Sequence, residues 1–445
     1  MPFHLNKYTL FREFEDKIIG INLLKNIIFL MDSEKYNLLK KNRCNLENLT
    51  QDNPLFFSVL NKLGIILQEK QNIYKELLFN NRLIVFDNKT FHLTINPTLN
   101  CNCSCWYCYE THSKKIISEK VEKNIEKLIH NLIIEKGIKN LYLDWFGGEP
   151  LLCYKNKLVP ISFSAKEVCD KYNIKFESGI TTNGYLLNYD MISFFREVNM
   201  NTFQITLDGD KSMHDITRVH NNKYPTYEKI IENICLLAEH LNPNDLILRI
   251  NYTKESFHKI TNIINSVPEN LRKNIKILLQ QVWQDQKKYI PFSETEAIKK
   301  KFENAGFRVK KDVLNLKCHT CYADLFNQAI VNYDGRVFKC TARNFEKEKE
   351  DGILNNEGQI DWDFGRLASF LSNATFENDE CKECIYLPVC FGPCSKKVAH
   401  VKGNMDEFRK ICFRDGIEST LDYLINEFIN SGEAIANLIP VEEDF

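Results

Sequence analysis

Three closely spaced cysteines in the sequence have a spacing that suits an iron-sulfur cluster. Cys101, Cys105 and Cys108 follow the pattern Cys-x3-Cys-x2-Cys directly after an apolar, β-branched run. This spacing lets one loop place three thiolates around a cube of iron and sulfur, and thiolate sulfur is the ligand that such clusters favour. A cube has one more iron than this loop has ligands, so one iron keeps an open position for another molecule. A further cysteine, Cys103, falls outside the spacing.

The spacing alone leaves two other interpretations open. A zinc knuckle also uses closely spaced cysteines, and several thiols in one apolar segment can simply be buried side chains. We favour the cluster because of the Cys-x3-Cys-x2-Cys spacing itself.

The residues around the triplet carry a resemblance to a known family. A strand ending in Asn96-Pro97, then the cysteine triplet with Trp106 and Tyr107 before its last member, resembles the radical S-adenosylmethionine (radical SAM) superfamily. The resemblance implies that the amino and carboxylate groups of S-adenosylmethionine chelate the open iron. It also implies that Cys101, Cys105 and Cys108 are the catalytic cluster ligands and that Tyr107 lies beside the cofactor.

Composition and charge exclude several other classes of protein. The chain has 445 residues, of which 44% are hydrophobic and 26% are charged, with a net charge of -1. This is typical of a globular protein of two or three domains and gives no general attraction to nucleic acid or to a membrane surface. We find no export signal and no apolar run of the ~20 residues that a membrane span needs. The 16 cysteines are therefore expected to be reduced in a cytoplasmic protein and, where clustered, to bind metal.

The first part of the chain is predicted to form a small separate domain. Alternating segments at Leu5–Phe14 and Lys17–Leu24, then apolar Ile27–Met31, predict a β-meander followed by two helices. Strands followed by helices at this size resemble the winged-helix peptide-recognition domain of enzymes that modify ribosomally made peptides. A structural cap on the next domain fits the same pattern equally well.

Strands alternate with helices in the middle of the chain, which predicts an α/β fold. The predicted strands are Phe91–Asn96, Asn140–Phe146, Lys175–Thr181, Thr202–Leu207, Leu246–Tyr252 and Ile275–Val282. The predicted helices are Ser118–Glu135, Ser164–Tyr172, Tyr189–Val198, Tyr227–His240, Ser256–Ser266 and Glu294–Ala305. Six such units predict a partial (βα)6 TIM-like barrel whose active residues lie at the carboxyl ends of the parallel strands.

The second strand ends in a Gly-Gly-Glu-Pro turn that strengthens the resemblance. Gly147, Gly148, Glu149 and Pro150 would make an ordinary turn on their own. In the radical SAM family this element holds the amino group of S-adenosylmethionine. Glycine permits a close backbone approach, and Glu149 is an acceptor suited to an ammonium group.

Three further residues are assigned to the cofactor by the same resemblance. Asn183, after the third strand, and Thr206, at the end of the fourth, have polar groups suited to the carboxylate and ribose. Arg218 ends a His-Asp-x-x-Arg element similar to one in many peptide-modifying members. An arginine in such a loop is otherwise most often solvated or structural.

A second set of cysteines follows the barrel and resembles the SPASM domain, which carries two auxiliary 4Fe-4S clusters. By resemblance, the first cluster is held by Cys318, Cys321, Cys340 and Cys394. The second is held by Cys381, Cys384, Cys390 and Cys412. A pair of zinc ribbons is the alternative, because two of the spacings are Cys-x2-Cys. If Cys318 is not a ligand, the first auxiliary cluster has an open iron that could bind substrate.

The predicted domains are residues 1–85 for peptide recognition with a linker, 86–312 for the barrel, 313–415 for the iron-sulfur domain and 416–445 for a closing helix and tail. The resemblance implies a radical SAM oxidoreductase that takes a hydrogen atom from a ribosomally made precursor peptide and installs a crosslink or related oxidation. Its expected cofactors are S-adenosylmethionine and three 4Fe-4S clusters. Its expected partners are a precursor peptide with a leader and an electron donor such as flavodoxin or ferredoxin.

Two other functions remain open at this stage. One is an anaerobic sulfatase maturase, which oxidises one residue of a sulfatase to formylglycine. Such relatives generally lack the front domain and have an aspartate after the cysteine equivalent to Cys340, where this chain has Thr341. The other is a non-catalytic iron-sulfur or zinc scaffold, for which the Gly-Gly-Glu-Pro turn and an open iron would be needless.

Overall fold

The computed structural model describes residues 2–68, 72–240, 246–285, 290–310, 320–372, 375–390, 392–401 and 403–430. The chain forms two compact units. The first unit combines Met1–Phe86 with Asp312–Asp324 and Ala368–Phe445. The second unit comprises Asp87–Lys311 and Leu325–Leu367.

The front of the first unit is a small α+β arrangement. Its strands are β1 (Phe3–Leu5), β2 (Thr9–Phe14), β3 (Lys17–Asn22), β4 (Ile27–Asp32) and β5 (Ile66–Gln68). Its helices are α1 (Ser33–Lys41), α2 (Asn48–Asp52), α3 (Pro54–Lys62) and α4 (Ile73–Val85). Strands β2, β3 and β4 form the predicted antiparallel meander in that order.

One predicted strand is interrupted. The segment Leu5–Phe14 is divided because Asn6 turns the chain: its Oδ1 accepts from Tyr8 N at 3.0 Å and its Nδ2 donates to Gly64 O at 2.9 Å. The piece before the turn, β1, leaves the meander and pairs antiparallel with β5. Asparagine is well suited to this task because its short amide bonds the local backbone.

The second unit is built on one sheet of eleven strands. Six parallel strands occur in chain order across it, as the sequence predicts: β6 (Thr90–Ile95), β8 (Asn140–Trp145), β9 (Lys175–Thr182), β10 (Met200–Leu207), β12 (Leu246–Tyr252) and β13 (Ile275–Gln281). Two short strands, β7 (Cys103–Cys105) and β11 (Arg218–His220), pair with each other outside this sheet. The parallel order brings the six carboxyl ends to one edge.

The sheet extends beyond the six predicted strands at both sides. Strand β14 (Arg308–Val309) adds to β13, and β15 (Gln328–Val331) adds in parallel to β6. An antiparallel series then continues with β16 (Arg336–Phe338), β17 (Gly352–Leu354) and β18 (Ile360–Trp362). Strand β15 was not predicted from the sequence, because four residues bounded by loops give too little periodicity to reveal a parallel partner.

Helices cover the parallel strands of the second unit. They are α5 (Glu119–Ile134), α6 (Val159–Lys171), α7 (Met191–Glu197), α8 (Lys211–Thr217), α9 (Tyr227–His240), α10 (Glu269–Arg272) and α11 (Phe292–Asn304). The segment predicted as a helix at Ser256–Ser266 is a 3-10 helix, Phe257–Ser266. Its buried residues Phe257, Ile260 and Ile263 recur every third position, and a 3-10 helix aligns that spacing on one face.

The C-terminal part of the chain is helical. Its helices are α12 (Phe364–Ser372), α13 (Asp379–Lys382), α14 (Leu387–Cys390), α15 (Ser395–Val401), α16 (Met405–Ile411) and α17 (Arg414–Asn430). Over the described parts of the chain, no helix has both the length and the apolar character to cross a membrane.

The first unit has a core that joins its front and C-terminal parts. Tyr8, Leu10 and Ile21 of the meander region lie in the same buried cluster as Phe376 and Leu421. The joint is reinforced by Tyr74, whose hydroxyl donates to Phe376 O at 2.7 Å. Removing the front part would therefore expose the apolar side chains of the C-terminal helices.

Candidate functional site

The cysteine triplet lies on a loop that follows β6, at the edge where the parallel strands end. Cys101 is buried, Cys105 is partly buried and Cys108 is exposed. Part of the loop is extended as β7 and pairs with β11, so that Cys105 lies opposite Arg218. After β7 the loop turns tightly, and Cys108 N donates to Cys105 O at 3.1 Å. Strand pairing therefore fixes the middle of the loop.

Asn221 holds the beginning of the same loop and was not singled out from the sequence. Its Nδ2 donates to Cys101 O at 2.7 Å, and its backbone N donates to Asn102 O at 2.9 Å. Its Oδ1 accepts from Ser104 Oγ at 2.7 Å. Only the pairing of β7 with β11 brings Asn221 here, so no local signal in the sequence could have revealed it.

The sulfur of Cys101 receives several hydrogen-bond donors. The backbone N of Cys103 lies 3.4 Å from Cys101 Sγ, and Asn183 Nδ2 lies 3.8 Å from it. The Cys103 thiol also donates a hydrogen bond to Cys101, and this hydrogen bond lowers the pKa of Cys101 to about 6. The same contact, together with burial, raises the pKa of Cys103. Cys101 is thereby favoured as a thiolate, the form that binds iron, and Cys103 supports a ligand without belonging to the triplet.

The two glycines of the Gly-Gly-Glu-Pro turn lie against the backbone that leads to Cys101. A Cβ on Gly147 would lie 2.4 Å from Thr98 O, and Gly147 has a φ of +107°. A Cβ on Gly148 would lie 2.3 Å from Asn100 O and 2.4 Å from Leu99 O. The cysteine loop therefore packs against this turn at a distance that leaves no room for a Cβ, which is why glycine is needed at both positions.

Glu149 joins the ends of β8 and β9. Its Oε1 accepts from Thr182 Oγ1 at 2.7 Å and from Leu151 N at 3.0 Å, while its Oε2 accepts from Asn183 N at 2.7 Å. The residue has no exposed surface, and burial, with a contribution from the Cys101 thiolate, raises its pKa to about 7. The structure therefore places this carboxylate inside the protein rather than on a cavity surface, and Pro150 beside it is also buried.

Asn183 and Thr206 lie where the sequence analysis expects the cofactor. Asn183 Nδ2 donates to Asn102 Oδ1 at 2.7 Å, which links β9 to the cysteine loop. Thr206 is largely buried near the end of β10. Both residues line the cavity that contains the three cysteines.

Arg218 is buried and hydrogen-bonded to two residues of the site; it is not a solvated loop residue. Its Nε donates to Asp208 Oδ2 at 2.8 Å, and its Nη2 donates to Tyr107 Oη at 2.8 Å. Tyr107 Oη also donates to Asp208 Oδ1 and accepts from Asn251 Nδ2 at 2.8 Å. Although burial opposes its charge, the Asp208 carboxylate and nearby thiolates raise the pKa of Arg218. This network connects β10, β11, β12 and the cysteine loop.

Two cavities open at this edge of the barrel, and Tyr107 lines both. One, of about 140 Å³, is lined by the three cysteines together with Glu110, Gly147, Gly148, Thr181, Asn183, Thr206 and Arg218. The other, of about 260 Å³, is lined by Trp106, Asp208, Asn251, Thr253, Ser256 and Val282 among others. The cysteine triplet, the two glycines and the polar residues at the ends of β9 and β10 and in β11 therefore meet around one small cavity, whereas Glu149 and Pro150 do not line it.

Glu110 is an acidic residue of the first cavity that was not singled out from the sequence. Its Oε2 is buried and has no hydrogen-bond partner within the described part of the chain. Burial raises the pKa of Glu110 to about 8. Nearby, His112 Nδ1 lies 2.9 Å from Leu99 O, and a contact with Cys108 raises the pKa of His112 to about 9. A carboxylate two residues beyond a cysteine triplet carries no recognisable sequence signal.

The four cysteines predicted to hold the second auxiliary cluster lie near one another in the first unit. Burial raises the pKa of Cys381 to about 12, with further contributions from the neighbouring thiols of Cys390, Cys384 and Cys412. The short helix α13 and the turn after it position Cys381 and Cys384 relative to each other, because Cys384 N donates to Cys381 O at 3.1 Å. The four thiols therefore form one group.

Of the four cysteines predicted to hold the first auxiliary cluster, the structure describes three. Cys318 lies outside the described residues. Cys340 follows β16 in the second unit, while Cys321 and Cys394 belong to the first unit. Among the residues that the structure does describe, no three His, Cys, Asp or Glu side chains converge as they would around a single metal ion. A cube spreads its ligand sulfurs more widely than one ion does, so the cluster assignments remain predictions.

Comparison with known proteins gives matches over the same region. The model of the Radical SAM superfamily matches residues 95–266. The serine-type anaerobic sulfatase-maturating enzyme of Bacteroides thetaiotaomicron is 30% identical over 149 residues, 32% of this chain and 34% of that protein. The match thus spans about a third of the length of that relative. The cysteine-type enzyme of Clostridium novyi is 24% identical over 340 residues, 69% of this chain and 88% of that protein.

A solved structure is similar in fold. Native anSMEcpe with bound AdoMet and Cp18Cys peptide superimposes with a TM-score of 0.56 at 17% sequence identity. The match covers 78% of this chain and 99% of that chain. The two proteins therefore share a fold, and this chain has additional residues beyond it.

Proposed function

The chain carries a radical SAM domain at residues 95–266, and on that premise we propose that it is a maturase that modifies a peptide or protein substrate by hydrogen-atom abstraction. The observation that carries the proposal is the convergence of Cys101, Cys105 and Cys108 with Asn183 and Arg218 around one cavity at the carboxyl ends of the strands. Ligand sites of parallel α/β folds lie at this edge.

The residues present fit an iron-sulfur cluster. Three thiols lie on one loop that is held by strand pairing and by Asn221, and the sulfur of Cys101 is favoured as a thiolate. In the proposal, Cys101, Cys105 and Cys108 hold the cluster. When bound and reduced, the cluster would supply the electron for reductive cleavage of S-adenosylmethionine, and the 5′-deoxyadenosyl group so released would take a hydrogen atom from the substrate.

The residues around the cavity bind and orient the reactants. The Gly-Gly-Glu-Pro turn keeps the cysteine loop against the strand ends, because Gly148 N donates to Thr98 O at 3.2 Å and Glu149 N donates to Asn100 O at 2.8 Å. Asn183 and Thr206 present polar groups to the cavity, and Tyr107 and Arg218 form a buried wall that excludes water from it. A flavodoxin or ferredoxin would supply the electron.

Two auxiliary 4Fe-4S clusters complete the proposed enzyme. The grouping of Cys381, Cys384, Cys390 and Cys412 supports one of them. The other would be held by Cys321, Cys340 and Cys394, with Cys318 as the remaining ligand. These clusters would accept an electron from the substrate radical or bind the substrate itself.

We favour a ribosomally made precursor peptide as the substrate, with its leader bound by the front of the first unit. The meander supports this proposal because β2 and β4 are its outer strands, and an outer strand can pair with an extended peptide. The chain also has residues beyond those matched by anSMEcpe, whose own chain is matched over 99% of its length. The product would be a crosslink or a related oxidation.

Formylglycine formation on a sulfatase is the second candidate, and the two curated relatives favour it. Residue 341 bears on the choice: Tyr109 Oη donates to Thr341 O at 3.2 Å, so this position lies beside the residue that follows Cys108. An aspartate here could accept the proton that oxidation of a hydroxyl or thiol releases, whereas a threonine cannot. This difference weighs against the second candidate.

One experiment tests the proposal and distinguishes modification of a precursor peptide from formylglycine formation on a sulfatase. The anaerobically reconstituted full-length protein is incubated with S-adenosylmethionine and dithionite, and 5′-deoxyadenosine is measured by mass spectrometry. Parallel reactions contain either a short peptide encoded beside this gene or a sulfatase peptide with the target serine or cysteine. A mass change in the first peptide supports crosslinking, a change in the second supports formylglycine formation, and absence of 5′-deoxyadenosine refutes both.

A further inference from the structure

We propose that Arg249 binds a carboxylate of the substrate peptide on the inner face of the barrel, one layer deeper than the residues that line the two cavities. This inference rests on the proposed function and goes further, because it assigns a substrate-recognition residue and a chemical class of substrate. It begins from a partly buried guanidinium that has no carboxylate partner within the described part of the chain.

Arg249 lies on the side of β12 that faces the interior of the barrel. The alternate residues Leu248 and Ile250 belong to the hydrophobic core of the second unit, so Arg249 and Asn251 are on the opposite face. Asn251 Nδ2 donates to Tyr107 Oη and Asn251 lines the larger cavity, which identifies this face as the inner one. Arg249 itself lines neither of the two cavities, so it is separate from the site assigned to the cluster and cofactor.

One hydrogen bond and the strand register position Arg249. Its Nε donates to Asn251 Oδ1 at 2.9 Å. Pairing of the strands places it between Thr206 of β10, which lines the smaller cavity, and Leu278 of β13. Its two terminal nitrogens have no hydrogen-bond partner among the residues that the structure describes. The planar end of the guanidinium is therefore available to a ligand.

The surroundings of Arg249 leave its charge without a partner. Burial is the main cause that lowers the pKa of Arg249, and the neighbouring Arg218 lowers it as well. The Asp208 carboxylate raises it, but Asp208 is already bound by Arg218 Nε at 2.8 Å. Arginine nevertheless stays protonated in proteins. An uncompensated cation in such surroundings is destabilising, and an anionic ligand would compensate it.

The inner face around Arg249 is basic. The side chains of β12 and β13 on this face include two bases and no acid: Ile247, Arg249, Asn251, Lys276, Leu278 and Gln280. Those of β13 are all partly exposed. The whole chain has a net charge of -1, so this basic character is local. Strand β14 is the last strand of the sheet on this side, which leaves an open edge from which an extended peptide can approach.

The chemistry of the guanidinium selects a carboxylate as its partner. Its planar end matches the two oxygens of a carboxylate and makes charge-assisted bonds, whereas a neutral carbonyl would leave the charge uncompensated. In the proposed enzyme the carboxylate of S-adenosylmethionine is engaged by iron, and the rest of that molecule has no negative charge. The substrate peptide is therefore the source, through an acidic side chain or through its C-terminus.

The test uses pools of short peptides that have an uncharged BODIPY dye at the N-terminus. C-amidated pools fix one position as aspartate, glutamate, asparagine or glutamine and draw the others from neutral residues, and a fully neutral pool is made with a free or an amidated C-terminus. Binding to the anaerobically reconstituted full-length protein is measured by fluorescence anisotropy with S-adenosylmethionine present and no reductant.

We expect at least about tenfold tighter binding of a carboxylate pool than of its matched amide pool, as one hydrogen bond between charged groups allows. The pair of pools that shows the difference identifies the side chain or the C-terminus as the source. The preference should persist when NaCl is raised from about 0.15 M to about 0.5 M, because salt screens a partly buried pair less than an exposed one.

Variants assign this preference to Arg249. Arg249→Gln removes the charge and should abolish the preference, and Arg249→Lys keeps the charge and should retain part of it. The control Arg196→Gln changes an exposed arginine of α7 and should retain it fully. Each variant is also tested for iron content and for S-adenosylmethionine binding without peptide, neither of which should change. If Arg249→Gln loses iron, Arg249→Leu replaces it, because leucine leaves no unpaired polar group inside the barrel.

Three results would overturn the inference. One is a wild-type protein without a preference for carboxylate pools, or with one that disappears at the higher salt concentration. Another is a preference that survives in the uncharged variant. The third is a loss of S-adenosylmethionine binding by about tenfold in that variant without peptide, which would assign Arg249 to the cofactor. Failure of the proposed function is distinct, since it appears as absence of 5′-deoxyadenosine in the wild-type protein.

Discussion

Arg218 and Asp208 form a buried ion pair, with Arg218 Nε 2.8 Å from Asp208 Oδ2, and the same guanidinium donates to Tyr107 Oη. The arginine thereby connects a strand end to the cysteine loop. A buried pair is costly to form, but removing one partner costs more, because the other charge is left uncompensated. The hydrogen bonds to Asp208 and Tyr107 come from two nitrogens of one planar guanidinium. Lysine has a single ammonium nitrogen and cannot reproduce this geometry.

Arg218→Lys should therefore weaken the site as well as the fold. We expect a melting temperature lower by several degrees and S-adenosylmethionine binding weakened by about tenfold, because one ammonium cannot bond Asp208 and Tyr107 in the same geometry. Differential scanning fluorimetry and equilibrium dialysis measure the two effects. Arg336→Lys is the matched control: its 2.7 Å pair with Asp334 is partly exposed, so its effect should stay within about 1 kcal/mol. Equal effects in the two variants would contradict the role of Arg218.

Gly148→Ala should prevent assembly of the cysteine loop. The new Cβ would meet Asn100 O and Leu99 O at 2.3 and 2.4 Å, so the backbone that leads to Cys101 must move. We expect loss of about four irons, those of one cube, after anaerobic reconstitution. Gly416→Ala is the control, because a Cβ there meets nothing within 4 Å and alanine favours its helix. Full iron content in Gly148→Ala would show that the loop is not held by this turn.

Cysteine variants should separate the catalytic site from the auxiliary site. Cys105→Ala should abolish formation of 5′-deoxyadenosine, since the triplet would lose a ligand. Cys384→Ala should retain it but lose peptide modification, because the auxiliary cluster that we propose for Cys381 and its neighbouring thiols would act only in a later step. Mass spectrometry measures both products. The exposed Cys44→Ala is the control and should behave as wild type. If Cys105→Ala still formed 5′-deoxyadenosine, the catalytic cluster would have been wrongly located.

Asp144 should make the stability of the second unit depend on pH. Burial raises its pKa from 3.8 to about 6, so the folded protein binds a proton at this site more tightly than the unfolded chain does. Its stability contribution is complete below about pH 4 and is lost as the pH rises through about 6. Asp144→Asn should therefore raise the melting temperature at pH 8 by more than it does at pH 5, with a gain of at most about 3 kcal/mol. An equal effect at the two pH values would refute this assignment.

Backbone N-methylation of a leader peptide should test strand addition. A peptide paired with an outer strand of the meander directs alternate N–H groups toward the protein, so methylating one alternate set should weaken binding by more than about tenfold. Methylating the other set should have little effect and serves as the control. Fluorescence anisotropy with the full-length protein gives the affinities. Truncation of the front segment would be a poorer test, because it would expose the apolar core around Tyr8 and Phe376. Equal effects of the two sets would exclude strand addition.

The sequence by itself predicted the resemblance to the Radical SAM superfamily, whose model matches residues 95–266, and the order of the six parallel strands. It also revealed the spacing of the cysteine triplet. Each depends on local information: a spacing that one loop can use, or an alternation of apolar residues that one strand or helix can bury. Residues whose type suits a ligand at a strand end, such as Asn183 and Thr206, were found in the same way. Fold class was therefore predicted correctly, because the parallel order follows from the chain order.

Only the tertiary structure decided how the site is held together. Pairing of β7 with β11 brings Asn221 to Cys101, although 120 residues separate them. Arg218 is a buried ion-pair partner, and the Glu149 carboxylate is buried between strand ends, because each meets partners from distant segments. The open oxygen of Glu110 is likewise a property of the assembled cavity. Such contacts depend on packing between elements, which neither spacing nor periodicity in the sequence encodes.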